Sequence, residues 1–290
     1  MPRFYNASLP HVWLQLLRAP NLLTVPGDPL AGFLLVAGSI SAGAWLAAGA
    51  SLCFYCGGLL INDLADFETD RKERPGRPLP SGPVKKQTVR VVAVMLFLVG
   101  ELLCSLLGDI PAGVGLTLIA AILAYNLKLK KIFVLGPLNM GLCRGLSMML
   151  GVSAAISSTS IPQNPSVMAP SSLLNFPMMA VPPLILTFYI AAVTHLARRE
   201  TETKKFGMER WMKLGNLKND APATIGLLIS NLLFLQALFA WPAVGLIIGN
   251  PLFLQTAFAE SGGSFNPWVS LCLLALWPAN RILARRFYAS

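Results

Sequence analysis

Apolar residues fill most of this chain in stretches long enough to cross a lipid bilayer, and polar residues are confined to the segments between them. A spanning helix needs roughly 20 apolar residues. By that measure the pattern predicts spans at about 15–39, 44–63, 88–108, 110–127, 132–156, 177–197, 222–248 and 267–284. Pro20 and Pro26 predict an irregular first span, kinked or re-entrant at its start. A ninth span would require splitting 222–258 near Trp241 and Pro242, so eight is the preferred number. The expected fold class is all-α, a polytopic transmembrane helical bundle, with residues 1–290 forming one membrane domain. Weak self-similarity between two sets of four spans suggests an internal repeat.

Composition agrees with the pattern. The chain is 54% hydrophobic and 12% charged, with a mean hydropathy of +0.61, whereas soluble domains carry about 25% charged residues. No cleavable signal peptide is expected, because the first apolar run lacks a small-residue cleavage pattern. The five cysteines all fall in apolar runs and read as buried thiols, Cys53 and Cys56 included.

Charge changes the picture more. The net charge is +10, and 20 of the 23 basic residues lie in four short segments: 71–90, 128–131, 198–218 and 281–286. The alternate inter-helix segments, including the Ser/Pro-rich stretch 157–172, hold none. That asymmetry is the positive-inside signature. It predicts cytoplasmic termini, a basic cytoplasmic face that attracts anionic lipid or substrate, and no nucleic-acid partner. The predicted location is the inner membrane of a bacterium, with 157–172 as an external loop.

The chemistry sits where the second apolar run ends. Asn62-Asp63-Leu64-Ala65-Asp66-Phe67-Glu68-Thr69-Asp70 puts three aspartates at i, i+3 and i+7, on one face of a helix. Carboxylates beside hydrocarbon are costly, and at a helix C-terminus they oppose the macrodipole. A hard divalent cation would compensate both, with Asp63, Asp66 and Asp70 as ligands and Asn62 adding a carbonyl oxygen. Basic, proline-stiffened sequence follows, from Arg71 through Arg77 to Gly82. Acid for a metal beside base for phosphate is the logic of diphosphate chemistry. Arg144, inside a span, is expected to face a cavity and hold a phosphate or an acid group. His195 is a candidate base.

Asn62-Asp63-x-x-Asp66-x-x-x-Asp70 followed by Arg77-Pro78-Leu79-Pro80-Ser81-Gly82 resembles the first signature of the UbiA superfamily of intramembrane prenyltransferases. Arg18-Ala19-Pro20-Asn21 resembles its first-helix signature. Tyr125-Asn126-x-Lys128-x-Lys130-Lys131 resembles its tyrosine-and-lysine segment, and Asn139 with the Gly141–Gly151 run resembles helix five. Arg144–Gly151 and Thr194–Thr201 also resemble an EboC-like bacterial branch. The resemblance implies a helical bundle around a central cavity, in which magnesium binds a prenyl diphosphate. The prenyl group then passes to a small hydrophobic acceptor, often aromatic. It implies substrate contacts from Asn21, Asn62, Arg77, Tyr125, Lys128, Lys131 and Asn139, with Asp63, Asp66 and Asp70 in the catalytic set; the chain's own residues add Arg144, His195 and Arg198 to the substrate contacts and Arg199 to the catalytic set.

One departure stands out. The family's second aspartate motif falls after span six, where this chain reads Thr194-His195-Leu196-Ala197-Arg198-Arg199-Glu200-Thr201-Glu202 with no aspartate. Either Glu200 serves as the second metal ligand, or Arg198 and Arg199 supply the second counter-charge. A non-enzymatic lipid- or isoprenoid-binding or transport protein on the same fold is the alternative function. A CDP-alcohol phosphotransferase is disfavoured because its Asp-Gly-x-x-Ala-Arg pattern is missing.

Overall fold

The computed structural model describes residues 9–158, 179–205, 221–241 and 268–288. The predicted external loop 157–172, most of the basic loop after span six and the stretch where a ninth span would arise lie largely or wholly outside the described residues. Within them the chain is helical: α1 (Leu9–Leu16), α2 (Ala19–Leu22), α3 (Gly27–Ala37), α4 (Ala42–Ala65), α5 (Phe67–Glu73), α6 (Lys86–Leu107), α7 (Asp109–Leu127), α8 (Leu135–Ser158), α9 (Val181–Lys205), α10 (Ala221–Phe239) and α11 (Trp268–Tyr288). Among the described residues, α4, α6, α7, α8 and the 181–198 part of α9 are long and apolar enough to cross a membrane. Shorter apolar helices cover 27–37, 227–239 and 268–280.

The first predicted span is broken into three pieces. Arg18 takes a left-handed conformation, φ 48°, between α1 and α2. Non-glycine residues rarely adopt that region. Proline follows within the first turn of α2, where its missing N–H costs nothing. Pro26 and Pro29 then flank the start of α3. Gly108, at φ 125°, makes the sharp turn between α6 and α7.

α8 is central. It packs against α3, α7, α9 and α4, while α4 packs on α6, and α10 on α11. Glycine permits its closest approaches. A Cβ at Gly141 would lie 2.0 Å from the Thr187 carbonyl oxygen of α9, one at Gly151 within 1.9 Å of the Pro29 carbonyl oxygen, and one at Gly32 within 2.2 Å of that of Met148. Backbone therefore meets backbone along α8, leaving no room for a side chain. On the outside, Val91, Val94, Met95, Leu98, Leu102 and Leu106 form an exposed apolar stripe along α6. Helical spacing of that kind on a bundle's outer face suits contact with lipid.

Inside the bundle, Asp28 is fully buried at the start of α3. Arg144 of α8 reaches it with Nε 2.7 Å from Oδ2, and donates from Nη2 to Oδ1 at 3.1 Å and to the Thr24 carbonyl at 2.9 Å. Gln236 Nε2 of α10 donates to the same two acceptors, at 2.6 Å and 2.7 Å. The prolines explain why Thr24 needs such donors: the break in the helix takes its carbonyl out of the regular ladder. A Cβ at Gly27 would lie 2.2 Å from Gln236 Oε1, so glycine is what lets Gln236 in.

Candidate active site

The aspartate segment does not form one straight ridge. α4 ends at Ala65, Asp66 sits at φ −90°, ψ 1°, and α5 resumes at Phe67. This kink divides the carboxylates. Asp63 and Asp70 turn toward Arg77, whose Nη1 lies 4.0 Å from Asp63 Oδ1 and donates to Asp70 Oδ2 at 2.6 Å. Asp66 turns the other way, to Lys130 Nζ at 2.5 Å. The same ammonium reaches Asn62 Oδ1 at 3.4 Å. Asp70 is buried, and Asn62, Asp63 and Asp66 are half-buried. Each carboxylate thus has a basic partner near the apolar interior, which offsets the desolvation the sequence foreshadows.

Beside these pairs opens a cavity of about 580 Å³, lined by Arg18, Arg74, Arg77, Tyr125, Lys130, Gly136, Pro137, Thr194, Ala197 and Arg198. Residues from four distant stretches of sequence meet there. Arg18 comes from the left-handed break before α2, Arg74 and Arg77 from the loop after α5, Lys130 from the Leu129–Lys131 3₁₀ turn and Arg198 from α9. Three of the four predicted basic segments therefore converge at one end of the bundle. Five cationic side chains facing one hollow make a strong anion-attracting field.

The predicted site residues divide clearly. Arg77, Tyr125 and Arg198 line the cavity, and Asn62, Asp63, Asp66 and Asp70 stand behind the bases that do. Lys128 and Lys131 are exposed and outside the lining; Lys130, between them, is the lysine turned inward. The 3₁₀ turn causes this, because its tighter winding points successive side chains differently from an α-helix. Arg144 is corrected too. It faces Asp28 inside the bundle instead of the cavity. Asn139 is buried and donates to the Ala121 carbonyl at 2.8 Å, joining α8 to α7. His195 packs edge-on against Phe133, with ring centroids 4.9 Å apart, next to the lining residue Thr194 but outside it. The Asn21 carbonyl accepts from Thr24 in the turn after α2. The side chains of Arg199 and Glu200 lie outside the described residues. Arg18 and Arg74 are lining residues that sequence reasoning missed, although Arg18 belongs to a recognised motif.

Asp63, Asp66, Asp70 and Asn62 offer the all-oxygen donors that a hard divalent cation prefers. Among the described residues, however, no three His, Cys, Asp or Glu side chains are already gathered as a metal site. The donor chemistry fits magnesium, and ligation would require the carboxylates to exchange their basic partners for the ion.

An all-helical bundle of membrane-length helices with an acid-and-base cavity at one end defines a class of polytopic intramembrane proteins. Within that class, residues 29–287 match the UbiA prenyltransferase family, and the chain belongs to it. Digeranylgeranylglyceryl phosphate synthase of Sulfolobus acidocaldarius is 38% identical over 95 residues, 33% of this chain and 34% of that protein. The protein of the same name from Ignicoccus hospitalis is 30% identical over 139 residues, 48% of this chain and 46% of its own length. These matches span between a third and half of the relatives' length. A solved structure of a UbiA homologue from Archaeoglobus fulgidus bound to DMAPP and Mg2+ has a TM-score of 0.53 at 16% identity, covering 94% of this chain and 98% of that one. A structure described as digeranylgeranylglyceryl phosphate synthase in membranes has a TM-score of 0.54 at 17% identity, covering 94% of each chain. The fold is shared throughout. The named relatives are archaeal, so they lend no support to the expected bacterial membrane.

Proposed function

We propose that this chain is an intramembrane prenyltransferase that moves a prenyl group from a prenyl diphosphate to a lipid-soluble acceptor. One observation carries the reading: a cavity lined by five bases, backed by three aspartates, at the end of an apolar bundle. Arg18, Arg74, Arg77 and Lys130 would receive the diphosphate, with Arg18 held toward it by its left-handed backbone. Magnesium, held by Asp63, Asp66, Asp70 and Asn62, would supply charge neutralisation of the departing diphosphate. Preorganised cations stabilise the negative charge that develops as the allylic bond breaks. The apolar bundle keeps water from the allylic cation while the acceptor attacks. Tyr125 lines the cavity, and its ring would suit an adjacent cation.

The expectation of an aromatic acceptor gives way to a different one. The relatives are named for a glyceryl phosphate lipid, and the surplus of bases suits an acceptor whose head is anionic. The cavity faces the cytoplasm in this reading, because the basic segments meet there.

The absent second aspartate motif favours one rival, a binding or transport protein that holds isoprenoid diphosphates without turnover. Release of inorganic diphosphate from dimethylallyl, geranyl and geranylgeranyl diphosphates separates the two. The purified chain in lipid nanodiscs should release it only with magnesium and a glyceryl phosphate acceptor, and form the matching ether by mass spectrometry. Tight binding with no release under any acceptor would leave the transferase reading without support.

A further inference from the structure

Among the described residues, Arg18 is the only non-glycine one with a positive φ. It follows the last turn of α1, a place helices usually give to glycine. Such a backbone persists only where its surroundings hold it. What holds Arg18 can be followed bond by bond. Its N–H donates to the Gln15 carbonyl at 3.2 Å, and its own carbonyl accepts from the Asn21 N–H at 2.9 Å. The Asn21 carbonyl accepts twice from Thr24, from the N–H at 3.0 Å and from Oγ1 at 2.9 Å.

Thr24 is only 2% exposed. Its carbonyl accepts from Arg144 Nη2 of α8 at 2.9 Å and from Gln236 Nε2 of α10 at 2.7 Å. A run of hydrogen bonds therefore leads from the interior of the bundle, through Thr24 and Asn21, to a base that lines the cavity. The two ends of this run differ. Losing either donor at the Thr24 carbonyl leaves the other in place. Toward Asn21, the N–H bond is one that any residue but proline could make, and the hydroxyl is what threonine adds.

We propose that Thr24 is a positioning residue for the diphosphate site: its hydroxyl, through the Asn21 carbonyl, fixes the left-handed backbone of Arg18 and so keeps the Arg18 guanidinium in the cavity. This role rests on the diphosphate reading given above. Without the hydroxyl, Arg18 can relax to a commoner backbone, and affinity falls with the fraction of molecules still competent to bind.

The test is a double-mutant cycle on the full chain in detergent with magnesium, using geranyl S-thiolodiphosphate as an unreactive prenyl diphosphate and calorimetry to read its affinity. Thr24→Val keeps the branched shape and removes the hydroxyl. It should weaken binding roughly three- to tenfold, the scale of one neutral hydrogen bond. Thr24→Ser, which keeps the hydroxyl, should bind as the unaltered protein does. In an Arg18→Met background, Thr24→Val should cost nothing further, because the side chain it positions is gone. A merely structural role would lower the unfolding midpoint without this dependence on Arg18. Thr24→Ala takes the place of Thr24→Val if the latter fails to fold, and Arg18→Lys that of Arg18→Met if binding there is too weak to measure.

Unchanged affinity in Thr24→Val, an equal loss in Thr24→Ser, or losses that add in full with Arg18→Met would each overturn the proposal. Full affinity in Arg18→Met alone would overturn it too, while the transferase reading would stand on the other bases. If the unaltered protein did not bind the thiolodiphosphate, that reading would fall first, and the role of Thr24 with it.

Discussion

Arg144→Met puts the interior of the bundle to the test. Asp28 is fully buried, and Arg144 supplies two of its polar contacts along with one to the Thr24 carbonyl. Without the guanidinium, a single Gln236 amide nitrogen is left to serve both the carboxylate and that carbonyl. Removing one member of a buried ion pair costs about 3–5 kcal/mol, since the other charge is left uncompensated. Because Gln236 remains, the lower end of that range applies. At about 2–4 °C per kcal/mol for a chain approaching this size, the midpoint of thermal unfolding in detergent should fall by roughly 10 °C. Asp28→Asn combined with Arg144→Met removes both charges and should recover most of the loss, because a neutral pair of similar volume often does as well. Binding of a prenyl diphosphate should change little in the double variant. The reasoning is refuted if Arg144→Met leaves the midpoint unmoved while abolishing prenyl diphosphate binding, for the guanidinium would then serve a ligand and not Asp28.

Asp63→Asn and Asp66→Asn should each abolish diphosphate release while leaving the free energy of unfolding within about 1 kcal/mol of the parent, since each carboxylate makes a part-exposed pair; full turnover in the double variant would remove the metal from the mechanism. Gly141→Ala should destabilise by about 1–3 kcal/mol through its clash with the Thr187 carbonyl, as read by thermal unfolding in the same detergent. A reporter fused after Arg286 should be active only in the cytoplasm if there are eight spans, and a signal from the opposite side would favour nine.

The helices were largely legible because the bilayer sets their length and the apolar runs record it. The predicted 88–108 and 110–127 correspond closely to α6 and α7. The prolines near the start announced that the first span would be irregular, but not that Arg18 would adopt a left-handed backbone there. The aspartates were legible as a motif and less so as a shape, because a kink at Asp66 sends neighbouring carboxylates to different partners. Lys130 was passed over for Lys128 and Lys131, since three lysines in four residues differ only in how the turn winds. Asp28 drew no attention, although it falls within the first predicted span between Pro26 and Pro29. Its partners lie 116 and 208 residues further on, a separation that no local pattern encodes.

The bare face of α8 decides which parts of this protein can be remade. At Gly141 and Gly151 the obstacles to a larger residue are carbonyl groups of α9 and α3. They belong to rigid helices, so substitution there has no companion change to rescue it. The α4–α6 contact differs: Gly57 and Gly100 are crowded by the rings of Phe97 and Phe54, and a smaller ring partner would make room. Variation in bundle width, whether by drift or by engineering for bulkier lipids, is thereby steered to the α4–α6 side, while α8 remains a spine whose spelling is fixed.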